Sequence, residues 1–124
     1  MSRGGKKVFM FMAEVVILKI GNVTIIKDGN YYGIKDHSNA IVVPAKYDLI
    51  EEWSIVTNCK ILKVVKDDLV GFYNPDKAEW INYCTLSRID RYDKVRNVII
   101  AKEPMKIFGI KWRDLCVEID LKNK

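Results

Sequence analysis

Short apolar runs alternate with polar turn clusters along the whole chain, and no apolar stripe is sustained at helical spacing over ten or more residues. Val15-Val16-Ile17-Leu18, Val23-Thr24-Ile25-Ile26, Ile41-Val42-Val43, Ile61-Leu62-Lys63-Val64-Val65, Val98-Ile99-Ile100 and Leu115-Cys116-Val117-Glu118-Ile119 are rich in β-branched residues and predict strands. Turn signals separate them: Gly21-Asn22, Asp28-Gly29-Asn30, His37-Ser38-Asn39, Asp67-Asp68, Asn74-Pro75-Asp76 and Glu103-Pro104. Asp28-Gly29-Asn30 is the strongest hairpin signal, because these residue types tolerate positive φ. The stretches 47–54 and 86–94 leave room for one helical turn each. Crossover helices, and with them a parallel α/β sheet, are not expected.

A glycine recurs in this pattern. Gly33, Gly71 and Gly109 stand 38 residues apart, each after a charged turn and a bulky apolar residue and before another apolar one. Further on, Ile50 aligns with Ile89, Glu51 with Asp90 and Trp53 with Tyr92. A period in this range marks a repeat architecture, whose units bury their apolar faces against their neighbours. In a strand or at a bulge, glycine lets a neighbouring backbone approach closely, which is the expected role of all three.

The first unit reads Asp28-Gly29-Asn30-Tyr31-Tyr32-Gly33-Ile34-Lys35-Asp36, then Ile41-Val42-Val43-Pro44 and Tyr47-Asp48-Leu49-Ile50. It resembles the WG-containing repeat of many bacterial and some phage proteins. The second unit keeps Gly71-Phe72, with Val70 in place of the family's aromatic and Tyr83 in place of its proline. The third keeps Phe108-Gly109-Ile110. The resemblance covers about residues 22–114 and implies an all-β repeat of hairpins with a binding role. It carries no catalytic motif to transfer.

These readings predict an all-β fold of three degenerate hairpin repeats forming a twisted antiparallel sheet, in a solenoid-like or partial-propeller or barrel arrangement. Residues 1–14 would be a leader, and 15–124 one domain with units at about 22–60, 61–98 and 99–124. At 124 residues, 49% of them hydrophobic, the chain is large enough to bury a core without disulfides or metal. Cys59, Cys84 and Cys116 are odd in number and form no C-x-x-C pair, so three reduced and mostly buried thiols of a cytoplasmic protein are expected. Arg3, Lys6 and Lys7 precede the apolar run Val8–Ala13, but Glu14 ends it and no small-residue cleavage site follows. The run is also too short to span a bilayer, so neither secretion nor a membrane is expected. Met10 and Met12 offer alternative starts.

Catalytic equipment is thin. The one histidine, His37, lies in a polar turn, and one histidine makes no multi-histidine metal site. The pairs Glu51-Glu52 and Asp67-Asp68 are adjacent residues, whose side chains diverge in a strand, and they read as solvated edge and turn charges. Phosphate loops, dinucleotide fingerprints and nucleophile elbows are missing from the sequence. No enzymatic activity, cofactor or metal is therefore expected.

Charge adds a second signal. Between 88 and 113 eight basic residues face three acids, whereas 20–87 holds seven basic and nine acidic residues. Tyr92, Phe108 and Trp112 interleave with that basic stretch. Arg88, Arg91, Lys94, Arg96, Lys106, Lys111, Trp112 and Arg113, with Trp80, are accordingly the candidate partner-binding residues, since Trp, Tyr and Arg anchor interfaces. The expected function is a non-catalytic module that binds a protein or nucleoprotein complex, an adaptor or inhibitor of the kind a phage or mobile element encodes. The alternative is RNA or single-stranded nucleic acid bound by charge and stacking. The truncated third unit would leave an unpaired edge, favouring a dimer or an added strand.

Overall fold

The alternation of apolar and polar residues becomes eleven antiparallel strands in the computed structural model, which describes residues 14–56, 59–107 and 110–121, with 106, 107 and 110–112 described by backbone alone. The strands are β1 (Glu14–Ile20), β2 (Val23–Asp28), β3 (Tyr31–Asp36), β4 (Ile41–Tyr47), β5 (Leu49–Glu52), β6 (Leu62–Lys66), β7 (Leu69–Asn74), β8 (Glu79–Leu86), β9 (Arg88–Asp93), β10 (Val98–Ile107) and β11 (Ile110–Asp120). They form three sheets, ordered β1-β2-β3-β4, β5-β6-β7-β8 and β11-β10-β9, and none closes into a barrel. The expectation of one twisted sheet is corrected to three.

The reason lies in two single-residue crossings. Asp48 alone separates β4 from β5, and Ser87 alone separates β8 from β9. The chain leaves one sheet and enters the next without a loop. The Asp48 amide donates to the Val65 carbonyl and the Ser87 amide to the Lys102 carbonyl, both at 2.8 Å, so each crossing is bonded into the sheet it enters. Asp48 Oδ2 also accepts from the Asp67 amide at 2.9 Å. These crossings occupy the stretches where the sequence left room for a helical turn, and 49–52 and 88–93 are strands. The second and third sheets thus each begin with the strand that the sequence units put at the end of the preceding unit.

Turn chemistry follows the residue types. Asp67 and Asp68 both take positive φ (54° and 65°), the pattern of a two-residue hairpin turn that Asp tolerates. The longer turns share another device. Asp36 Oδ1 accepts from the Ser38 and Ala40 amides, Asn74 Oδ1 from those of Asp76 and Lys77, and Asp93 Oδ1 from those of Val95 and Arg96. One short polar side chain in each sheet therefore closes a turn on its own backbone.

Two apolar layers hold the stack together. Ile25, Ile34 and Val43 of the first sheet meet Ile50, Leu62, Val64 and Tyr73 of the second. On the other side Ile61, Phe72 and Leu86 meet Ile99, Ala101, Ile119 and Leu121 of the third. Adjacent Phe72 and Tyr73 point into opposite layers, as strand alternation requires, which leaves the second sheet covered on both faces. Each fully buried side chain of this size contributes about 1.5–3 kcal/mol. Trp53 and Tyr92, aligned in the sequence, both pack on the second layer.

The recurring glycine has a steric cause. A Cβ on Gly33 would lie 2.8 Å from the Val43 carbonyl oxygen and 2.9 Å from the Ala45 amide. On Gly71 it would lie 2.7 Å from the Asn82 carbonyl oxygen and 2.8 Å from the Cys84 amide. In both sheets the fourth strand crosses so close that a side chain has no room. Gly109 and Phe108 lie outside the described residues. Because Asp48–Val65 and Ser87–Lys102 correspond, Val64 opposite Gly71 matches Ala101, whose partner is Val117. Among the described residues the third sheet has three strands, and at this position it carries a valine packed on the second layer.

Candidate functional site

An aromatic cluster forms where the first and second sheets join. In β8 the pairing with β7 slips between Val70–Leu86 and Phe72–Asn82, leaving Tyr83, Cys84 and Thr85 out of the ladder. The Asn82 side-chain amide braces this bulge, donating to the Tyr83 carbonyl at 2.9 Å and to Thr85 Oγ1 at 3.1 Å. Tyr83 projects to solvent at 65% exposure. Its ring centroid is 5.1 Å from that of half-buried Trp80. Trp80 meets buried Tyr73 edge-on at 5.4 Å and Tyr47 of β4 at 5.8 Å. Burial pushes the Tyr73 and Tyr47 hydroxyls above their ordinary values, so both remain neutral donors. Two cations flank the cluster. The Lys46 ammonium stands 5.9 Å from the Tyr47 ring, and Lys66 Nζ donates to the Lys46 carbonyl at 3.2 Å. The result is an exposed aromatic tip on a rigid aromatic base, the arrangement of an interface anchor.

The candidate residues of the basic stretch are placed elsewhere. Trp80 packs in the layer between the first two sheets, whereas Arg88, Arg91, Lys94 and Arg96 are exposed on β9 and its turn in the third. The structure does not gather Trp80 with them. Lys106, Lys111 and Trp112 belong to the part of the β10–β11 hairpin whose side chains lie outside the described residues. Arg113 is exposed on β11.

Most of these cations have acidic neighbours. Arg88 Nε pairs with Asp90 at 2.8 Å, and Lys102 reaches the same carboxylate at 3.7 Å. Arg91 lies 3.9 Å from Asp93. Arg96 bridges Asp93 at 3.1 Å and Glu118, on which it is bidentate at 2.7 and 3.3 Å. Hydrogen bonds from Arg96 hold the Asp93 and Glu118 carboxyls below the usual range and push the guanidinium further up. The linear excess shrinks because β11 folds back beside β10, bringing Asp114, Glu118 and Asp120 into the sheet. Over residues 88–120 eight basic residues stand against six acidic ones.

The remaining chemistry is quiet. His37 is exposed at the rim of an open groove of about 440 Å³, lined also by Val16, Lys19, Asn22 and Asp36. Asp36 is engaged in its own turn, and hydrogen bonds from the Ser38 hydroxyl and the Ala40 amide lower its pKa. Glu51 and Glu52 are exposed on edge strand β5. Among the described residues no His, Cys, Asp and Glu cluster could hold a metal. The cysteines are unpaired, and burial raises the pKa of half-buried Cys59 and Cys84. Cys116 is exposed, a departure from the buried thiol expected, because no strand covers β11 on that side.

Tyr83 and Tyr47 were not among the sequence candidates. The available signal was Tyr83 in a repeat position otherwise held by Pro44. Proline there suits an edge-strand bulge, since it needs no ladder donor. A tyrosine in its place has to point somewhere, and the bulge sends it outward. No family model, no curated protein and no solved structure matches this chain.

Proposed function

We propose that this chain is a non-catalytic binding module, a solenoid-like succession of degenerate WG-type repeats, that docks a protein partner through Tyr83, Trp80 and Tyr47. The observation that carries this reading is the 65% exposed Tyr83 ring packed at a tilt of 41° against Trp80, which buried Tyr73 holds edge-on. A pre-ordered aromatic anchor loses little side-chain entropy on docking, so its buried area is turned into affinity efficiently. Lys46 and Lys66 form the polar rim. The ion-paired residues Arg88, Arg91 and Arg96 act at longer range, steering an oppositely patterned partner.

Nucleic acid is the less favoured partner. Phosphate binding needs cations free to displace counterions, and Arg88, Arg91, Arg96 and Lys102 already have carboxylate neighbours. The test is capture from lysate of the source cell, with and without nuclease, using the full chain and its Tyr83→Ala variant. The reading expects a protein that survives nuclease and is lost with Tyr83→Ala. Capture that nuclease abolishes, or that Tyr83→Ala leaves unchanged, would overturn it.

A further inference from the structure

Six strands border the three sheets, and five of them carry a guard against pairing with another chain. β4 has Pro44, β5 has Glu51 and Glu52, and β8 has the bulge at Tyr83. β9 presents Arg88, Asp90, Arg91 and Asp93, and β11 presents Arg113, Asp114, Glu118 and Asp120. Proline, charge and bulges are the usual means of blunting an edge. β1 is different. Between Glu14 and Lys19 it carries only Val15, Val16, Ile17 and Leu18, which are 56, 59, 46 and 38% exposed. Its pairing with β2 does slip between Val16 and Leu18, but the residue at that irregularity is Ile17, so an apolar side chain is what it presents to solvent.

We propose that β1 is the surface through which two copies of this chain associate, strand against strand and antiparallel about a twofold axis. The sequence of β1 is self-complementary in that arrangement. When Val16 faces Ile17 of the second copy, Val15 faces Leu18, and Glu14 faces Lys19, on both sides of the axis. An isologous contact requires such reciprocity. Glu14 Oε2 accepts from Lys35 Nζ at 2.6 Å, leaving Oε1 for a second cation, and Lys19 has no ion pair among the described residues. A parallel pairing would instead set Glu14 against Glu14 and Lys19 against Lys19. The apolar quartet supplies the attraction and the terminal charges set direction and register. Tyr47 is on β4, at the opposite edge of the first sheet, so a dimer formed in this way leaves the aromatic anchor open on each copy.

The test is sedimentation equilibrium of the full chain over a dilution series, with circular dichroism to verify that each variant folds. The wild type is expected to be a dimer that dissociates on dilution. Val16→Lys is expected to be monomeric at every concentration. Lys19→Glu, at a residue with no ion pair among the described residues, is expected to weaken the dimer roughly fivefold, the scale of an exposed ion pair. Adding Glu14→Lys to it, together with Lys35→Glu to keep the ion pair between positions 14 and 35 within the chain, is expected to restore the affinity. A wild type that is monomeric throughout, or a dimer that survives Val16→Lys, would overturn the proposal. So would failure of this charge swap to restore affinity, because only antiparallel self-pairing places Glu14 and Lys19 opposite each other.

Discussion

The second and third sheets start from the same plan and finish differently. In the second, β8 completes the sheet, and its backbone passes so close to β7 that Gly71 has no room for a Cβ. In the third, no strand corresponding to β8 is found among the described residues, and the residue corresponding to Gly71 is Val117, which fills the space against Ile119, Ala101 and their neighbours. The glycine of this repeat is therefore a consequence of the fourth strand. Where that strand ends, a side chain returns and covers the layer that the strand would otherwise help to close.

Exchanging the two residue types breaks the comparison most directly. Gly71→Ala drives a Cβ into the Asn82 carbonyl and the Cys84 amide, both backbone and unable to step aside without moving β8. It is expected to cost about 3 kcal/mol. Val117→Gly meets no steric conflict and loses only a half-buried side chain and some strand rigidity, about 1.5 kcal/mol. Denaturant unfolding of both variants measures this. Equal losses would mean that the glycine is not set by the crossing strand.

The same contrast explains what could be read from the sequence. Strands with β-branched runs, β1, β2, β4, β6, β10 and β11, were legible because their pattern is local. The sheet crossings at Asp48 and Ser87 were not. Nothing near either residue distinguishes a helical turn from a strand that changes partners, since the deciding hydrogen bonds go to Val65 and Lys102, more than a dozen residues away. Phe108-Gly109 of the third unit lies outside the described residues, while the residue that answers to Gly71 by strand pairing, Val117 opposite Ala101, has no local signal in the sequence. Basic character was legible as a count. Its partial cancellation by Glu118 depended on β11 folding back, and strand order lies beyond composition.

Within the aromatic cluster, base and tip should separate. Trp80→Ala removes a half-buried ring that touches Tyr47, Tyr73 and Tyr83, and is expected to cost about 2–3 kcal/mol. Tyr83→Ala, at a solvent-exposed bulge, should change stability by no more than about 0.5 kcal/mol while removing partner capture. Urea midpoints measured beside the capture assay distinguish the two. Parallel losses of stability and capture in both variants would make Tyr83 a packing residue and not an anchor.

Thiol labelling sharpens the contrast between the covered second sheet and the open third one. Cys116 lies exposed on β11, while Cys84 lies half-buried within the β8 bulge, its thiol donating to the Val64 carbonyl at 3.5 Å and its pKa raised by burial. Thiolate, not thiol, reacts with alkylating reagents. Cys116 should therefore label first near neutral pH, with Cys84 and Cys59 following only as the fold opens. Mass spectrometry of a timed reaction would show the order. Fast labelling of Cys84 would mean that the bulge opens readily.

The smallest expected effect concerns acid. Asp93 and Asn74 do the same work, each closing a turn by accepting two backbone amides. The second sheet uses the neutral residue because that side chain is buried: Asn74 is only 4% exposed, and the backbone amide of Asn22, in the turn between β1 and β2, donates to the adjoining Pro75 carbonyl at 3.0 Å. A carboxylate buried there would carry a large desolvation cost. In the third sheet the turn is open to water, and Asp93 holds Arg96, which holds Glu118. Both carboxyls have folded pKa values below their unfolded ones, so the native state binds fewer protons than the unfolded chain in acid. The stabilisation is present above the ordinary carboxylate range and is lost as pH falls through the depressed values. Asp93→Asn, which makes this turn resemble that of the second sheet, should lower stability slightly at neutral pH, where the carboxylate's contribution is present, and flatten the acid limb, so that variant and wild type converge in acid. Added salt should flatten it in the wild type too, because these charges are exposed and screened. An acid limb that is identical in Asp93→Asn and wild type would assign the sensitivity to Glu118 and to Asp36, whose turn in the first sheet uses the same carboxylate device.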